Sequence, residues 1–184
     1  MLTNAAWRYA RTMARFPLRR LRLRPGEEHR EAVRLSVEPF SLGGQLYALS
    51  ADEIPAELVV QRASTGDIFR LGFEATVEGP CMRCLADAAA VVDVEAREYQ
   101  ATDPGADGEL RSDYVVEGDL DLDAWSRDLI GLGLPDQILC RADCAGLCPF
   151  CGKDLNVEPH EHDEAPVDSR WAALEALRGD GAAE

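Results

Sequence analysis

Apolar positions recur at every second residue through most of the first hundred positions. In DIFRLGFEATVEG (67–79), Phe69, Leu71, Phe73, Ala75 and Val77 alternate with charged, polar or small residues. That period predicts a strand with one buried and one solvated face. AAAVVDVEAREYQ (88–100) reads as its partner, and PCMRCLAD between them places Cys81 and Cys84 at a hairpin tip. VRLSVEP (33–39), GGQLYAL (43–49) and AELVVQRAS (56–64) continue the pattern, with Gly43-Gly44 as a hairpin turn. LRRLRLR (18–24) alternates as well: as a strand, it would put Arg20, Arg22 and Arg24 on one face and Leu21 and Leu23 on the other.

Beyond residue 100 the period changes. Residues 101–128 hold nine acids and two arginines among Gly and Pro breakers, and predict a solvated loop for most of their length. From Asp121, DLDAWSRDLIGLGLP sets Leu122, Trp125 and Leu129 on one helical face, and Pro135 ends it. A closing helix is expected in DSRWAALEALRG, with Asp168 as N-cap, Trp171, Leu174 and Leu177 along one side, and Gly179 past its end. The expected fold class is α+β: an antiparallel β-rich body with a C-terminal helix and a zinc-knuckle-like Cys-rich segment. One domain is expected over 17–184, containing an acidic loop (101–120) and a Cys/His-rich segment (136–165), with 1–16 as a basic extension.

Charge narrows the partners. The net charge is −15, yet residues 1–24 carry seven arginines and no acid, leaving 12 cations against 34 acids in the remainder, a formal −22. A body so acidic repels phosphate and is unlike a general nucleic-acid binder. It suits a basic partner. Arginines interrupt the N-terminal segment too often for a secretory signal, and no run approaches a membrane span, so a cytoplasmic location is expected.

The six cysteines are the strongest chemical signal. In such a location they predict metal ligands over disulfides. Cys81-x2-Cys84 and Cys148-Pro-Phe-Cys151-Gly both have knuckle spacing, which aims two sulfurs at one point. Cys140, Cys144, His160 and His162 complete eight ligands, enough for two tetrahedral zinc ions. The favoured pairing is Cys81, Cys84, Cys140 and Cys144 for one ion and Cys148, Cys151, His160 and His162 for the other, with Arg83 and Arg141 offsetting the charge of the four-thiolate site. The competing arrangement gathers Cys140, Cys144, Cys148 and Cys151 on one ion, leaving Cys81 and Cys84 spare and the histidines solvated. A thiol redox role ranks lower, because such chemistry wants its Cys-x2-Cys at a helix start. With all positions filled by protein ligands, zinc would be structural.

PCMRCL, the acidic stretch, DLDAWSRDLIGLGLP, LCRADCAGLCPFCGKDLN and VDSRWAALEALR, in this order, resemble the YceD family, described as large ribosomal RNA subunit accumulation proteins. The resemblance covers roughly residues 17 to 178. Members with a GLCPFCG-like block often carry Cys-x-Cys after it; here His160-Glu161-His162 keeps metal-binding chemistry. The resemblance implies a cytoplasmic bacterial factor, without catalysis, in the synthesis, processing or stability of large-subunit ribosomal RNA.

The sequence also holds no phosphate-binding glycine loop and no G-x-S-x-G elbow, so no enzyme and no small-molecule substrate are expected. Two partners stay open. Arg19, Arg20, Arg22 and Arg24 would touch ribosomal RNA phosphates, or be only a solvated face. Alternatively the acidic body would bind a basic ribosomal protein or assembly factor, or a basic partner outside that pathway.

Overall fold

The computed structural model describes residues 11–12, 15–103, 105 and 110–162. The chain divides into two compact units, Met1–Cys144 and Ala145–Glu184. The first is built on an antiparallel sheet whose longest part is the hairpin expected from the period-two pattern. Strands β1 (Arg11–Thr12), β3 (Glu28–Leu35), β4 (Phe40–Leu42), β5 (Gln45–Leu49), β6 (Ile54–Arg62), β7 (Gly66–Pro80) and β8 (Asp87–Ala101) form it. β7 and β8 pair over 15 residues, from Gly66–Ala101 to Pro80–Asp87. On the other side of β7, β6 occupies Asp67–Phe73 and β5 meets Val77 and Glu78. β3 pairs with β6, and the two-residue β1 joins β3 in parallel.

The alternation in the sequence sorts the two sheet faces. Val33 and Leu35 of β3, Ala56, Leu58 and Val60 of β6, and Phe69, Leu71, Phe73, Ala75 and Val77 of β7 are buried. Their neighbours form the opposite, charged face, where Arg30 binds Glu28 and Glu57, and Arg70 binds Glu28. Gly43 and Gly44 connect β4 to β5 with φ of +57° and +81°, a turn that a side chain would strain at both positions.

A helix, α1 (Leu122–Gly133), packs against β8, β3 and β2 (Arg15–Pro17). The Asp121 carboxylate caps it by accepting the Ala124 N–H at 3.0 Å. Leu122, Trp125 and Ile130 are buried, while Leu129 is only half-buried. Gly133 is required for the packing: a Cβ there would stand 2.4 Å from Val92 Cγ1.

Two sequence expectations change. LRRLRLR is no strand. Leu18–Arg20 form a 3-10 turn and residues 21–24 join no ladder, although Leu21 and Leu23 stay half-buried and Arg22 and Arg24 exposed. Pro17 and Pro25 bracket the segment and remove donors, so the alternation survives as burial without pairing. Second, the acidic stretch is not wholly loop. β9 (Val115–Val116) and β10 (Asp119–Asp121) form a second antiparallel sheet with β2, in which Leu120 lies opposite Phe16, both buried. Strands this short carry no period, and their partner lies a hundred residues away. The expected closing helix at 168–178 falls outside the described residues.

Candidate metal centres

Two turns of identical hydrogen bonding carry the Cys-x2-Cys pairs. In the first, Cys81 N–H donates to the Ala86 carbonyl at 2.7 Å and Leu85 N–H to the Cys81 carbonyl at 3.0 Å. In the second, Cys148 N–H donates to Lys153 at 2.8 Å and Gly152 N–H to Cys148 at 2.9 Å. The residue after the second cysteine is left-handed in both, Leu85 with φ +63° and Gly152 with φ +74°. Glycine takes this conformation freely; a leucine does so at a cost of about 1–2 kcal/mol, held there by the surrounding structure. Leu85 was therefore not readable as a knuckle residue from its type.

The β7–β8 turn carries Cys81 and Cys84, and the segment after α1 supplies Cys140 and Cys144. Three of the four thiols are buried and Cys140 is exposed. Cys81 and Cys144 sulfurs lie 3.8 Å apart, and Cys84 and Cys140 sulfurs 3.5 Å apart. A tetrahedral thiolate centre with metal–sulfur bonds of about 2.3 Å separates its sulfurs by about 3.8 Å, so the set fits such an ion. Around it, Met82 N–H donates to the Ile138 carbonyl at 2.9 Å. The Arg83 guanidinium bonds Gln137 Oε1 at 3.0 Å and the Cys144 carbonyl at 3.0 Å. Arg83 thus joins the first turn to the Gln137–Cys144 segment through two neutral oxygens, and Arg141 pairs with Asp143 at 3.3 Å. Buried Ile138 and the partner Gln137 carried no sequence signal.

Burial pushes the Cys81 thiol up, but the backbone N–H groups of Arg83, Cys140 and Cys84 outweigh it and bring it to about 6. Cys140, hydrogen-bonded to Cys84 and partly desolvated, is pushed up to about 12. Four sulfurs this close cannot all be thiolates unless a cation sits among them.

The second group is local. Cys148 is buried, Cys151 and His162 are exposed and His160 is half-buried. Their ligand atoms all lie within 4.8 Å of one another. Cys151 Sγ is 3.1 Å from His160 Nε2, and His160 Nδ1 is 2.7 Å from the Glu158 carbonyl. A carbonyl only accepts, so Nδ1 carries a proton and Nε2 is the ring nitrogen that faces the sulfurs, the orientation a metal-binding imidazole needs. The Glu158 carbonyl, and then the Cys148 thiolate, raise the His160 pKa. Backbone N–H groups of Cys151 and Phe150 lower the Cys148 thiol to about 6 against its desolvation. Lys153 bridges to Glu158 at 3.0 Å, and Asn156 accepts the Ala145 N–H at 2.8 Å, closing the segment on itself.

The structure therefore groups Cys81 and Cys84 with Cys140 and Cys144, not the four clustered cysteines together. Neither Cys-x2-Cys pair opens a helix. Of the four arginines, Arg19 donates to the Glu117 carbonyl, while Arg20, Arg22 and Arg24 are exposed and make no ion pair among the described residues. His29 lies 3.0 Å from the Glu31 carboxylate, against the Phe16 ring. No described helix is long and apolar enough to cross a membrane.

Residues 69–178 match the family described as "Large ribosomal RNA subunit accumulation protein YceD". An uncharacterized protein of Mycobacterium tuberculosis is 34% identical over 147 residues, covering 77% of this chain and 70% of its own length. An uncharacterized protein of Mycobacterium leprae is 39% identical over 100 residues, covering 51% and 45%. The uncharacterized protein YlbN of Bacillus subtilis is 32% identical over 117 residues, covering 59% and 66%. No solved structure matches the chain.

Proposed function

This chain belongs to the YceD family, and on that premise we propose that it is a non-enzymatic, cytoplasmic factor supporting the accumulation of large-subunit ribosomal RNA, with two structural zinc ions. The observation that carries the zinc part is the sorting of eight ligands into two sets of four. Four thiolates, and two thiolates with two imidazoles, are donor sets that zinc prefers. Each set fills a tetrahedron, leaving no position for a water or substrate, so the metal supplies folding energy and not Lewis-acid chemistry. The chain's own part is to aim the sulfurs through the two turns, fix the His160 tautomer through Glu158, and hold the Cys140–Cys144 segment through Arg83.

The ribosomal part rests on the family. The exposed Arg20, Arg22 and Arg24 support contact with RNA phosphates, and the −22 balance beyond residue 24 supports a basic ribosomal protein or assembly factor. Depleting the protein in cells and measuring the ratio of large- to small-subunit ribosomal RNA tests the role. A selective fall of the large-subunit RNA is expected; an unchanged ratio overturns the ribosomal reading and leaves a zinc-stapled module for a basic partner elsewhere. Replacing Arg20, Arg22 and Arg24 with Ala separates the partners, since only the RNA contact weakens.

A further inference from the structure

β8 is an edge of the large sheet. It pairs with β7 along its full length, and among the described residues no strand pairs with its other side. The direction of its backbone groups follows from the ladder. The Thr76 carbonyl accepts the Ser50 N–H at 2.9 Å on the far side of β7, so Thr76 and its partner Val91 exchange no hydrogen bonds. By alternation, Ala89, Val91, Asp93, Glu95 and Arg97 turn their N–H and C=O groups away from β7. The side chains of these same residues are all exposed. An open edge of this length is a template for another strand.

The surroundings say what kind of strand. Near its start, a groove of about 410 Å³ lies between Ala89, Ala90 and Val91 and the Pro135, Ile138 and Leu139 segment, and Val91 is 63% exposed. Farther along, Asp93 lies opposite Glu74 in register, and Glu95 follows on the same face. Among the described residues none of these three carboxylates has an ion-pair partner, and Arg30 and Arg70 of that face are engaged by Glu28 and Glu57. Arg97 ends the acidic stretch. A second copy would bring its own Asp93 and Glu95 against an equally acidic body, and phosphate meets the same repulsion. A cationic strand meets attraction in the same place.

We propose that the open edge of β8, from Ala89 to Arg97, receives an extended, lysine- or arginine-bearing segment of another protein as an added strand, with an apolar side chain in the groove beside Val91. The inference rests on the sheet and is independent of the ribosomal reading.

The test uses the full chain and a short fluorescent peptide of alternating valine and lysine, with binding read by anisotropy. Two further peptides carry N-methyl groups, one on every lysine and the other on every valine. Added-strand binding uses the N–H groups of one alternate set only, so one methylated peptide should lose at least about tenfold in affinity while the other stays within about twofold; equal behaviour of the two overturns the proposal. Val91→Pro removes an N–H that β7 does not use and should weaken the parent peptide at least about tenfold with the fold retained. As an independent variant, Asp93→Lys with Glu95→Lys should transfer preference to a valine–glutamate peptide; unchanged preference for lysine overturns the proposal. A chain that ignores the peptide and instead runs as a dimer, or that exchanges the peptide for a single-stranded RNA oligonucleotide, overturns it too.

Discussion

Cys81–Ala86 and Cys148–Lys153 make the same turn, bond for bond, in unlike settings. The first caps a hairpin of two 15-residue strands, and its remaining candidate ligands arrive from a segment 56 residues beyond Cys84. The second draws all four ligands from residues 148–162. Three of four ligands are buried at the first site; two are exposed at the second. The same local chemistry thus has two structural roles. At the hairpin tip a metal would close a long loop and fix a segment that lacks periodicity. In the second unit it would stand in for a hydrophobic core, because the described residues there offer little apolar material and expose Phe150 and Val157.

The largest expected effect comes from breaking the first site. Cys84→Ser should remove one zinc per chain and lower the melting temperature by about 10 °C or more, since the cost of losing a metal-closed tertiary contact reaches several kcal/mol. Native mass spectrometry with a thermal scan reads both quantities; an unchanged melting temperature would show the hairpin holding residues 137–144 by hydrogen bonds alone. Cys148→Ser should also remove one zinc. It should leave the main transition within about 3 °C while abolishing hydrogen-exchange protection at Cys148 and Gly152. Equal losses from both variants would erase the distinction between the sites.

Chelation sharpens the comparison. With a colorimetric chelator in excess, the His-containing site should empty first, at least about tenfold faster than the buried thiolate site, because its exposed ligands admit a competing donor. A single release phase would contradict this. The smallest effect concerns the two left-handed residues. Gly152→Ala should cost about 1 kcal/mol of local stability in the second unit, whereas Leu85→Gly should change global stability by less than about 1 kcal/mol, relief of strain being offset by glycine's entropy. Denaturant titration measures the second, and amide exchange the first. If Leu85→Gly proves strongly destabilising, the leucine side chain itself contributes to the first site.

Much of this was legible along the chain. Phe69 to Val77 announced β7, Asp121 and Pro135 bounded the helix, and Gly43-Gly44 marked a turn, since each is a statement about local dihedrals or about which side of an element faces water. LRRLRLR misled because alternation reports burial and not pairing, and two prolines deny that segment a ladder. β9 and β10 were silent because strands of two or three residues have no measurable period. At the candidate sites, residue types and spacing nominated all eight candidate ligands, but Ile138 and Leu85 act through backbone contacts and Gln137 through an amide oxygen that meets Arg83 from 54 positions away, which no side-chain type advertises.

By itself, the sequence determined the knuckle turns, the β7–β8 hairpin that carries the first of them and the acid-rich balance of the body: each follows from neighbouring residues or from a sum over all of them. Tertiary structure decided between the favoured pairing of Cys81 and Cys84 with Cys140 and Cys144 and its competitor, and it alone decided that β5 and β6 share one side of β7 and that, among the described residues, no strand pairs with the other side of β8. Those outcomes depend on closing loops of tens of residues, where the entropy of closure is nearly the same for many partners and only the summed burial selects one.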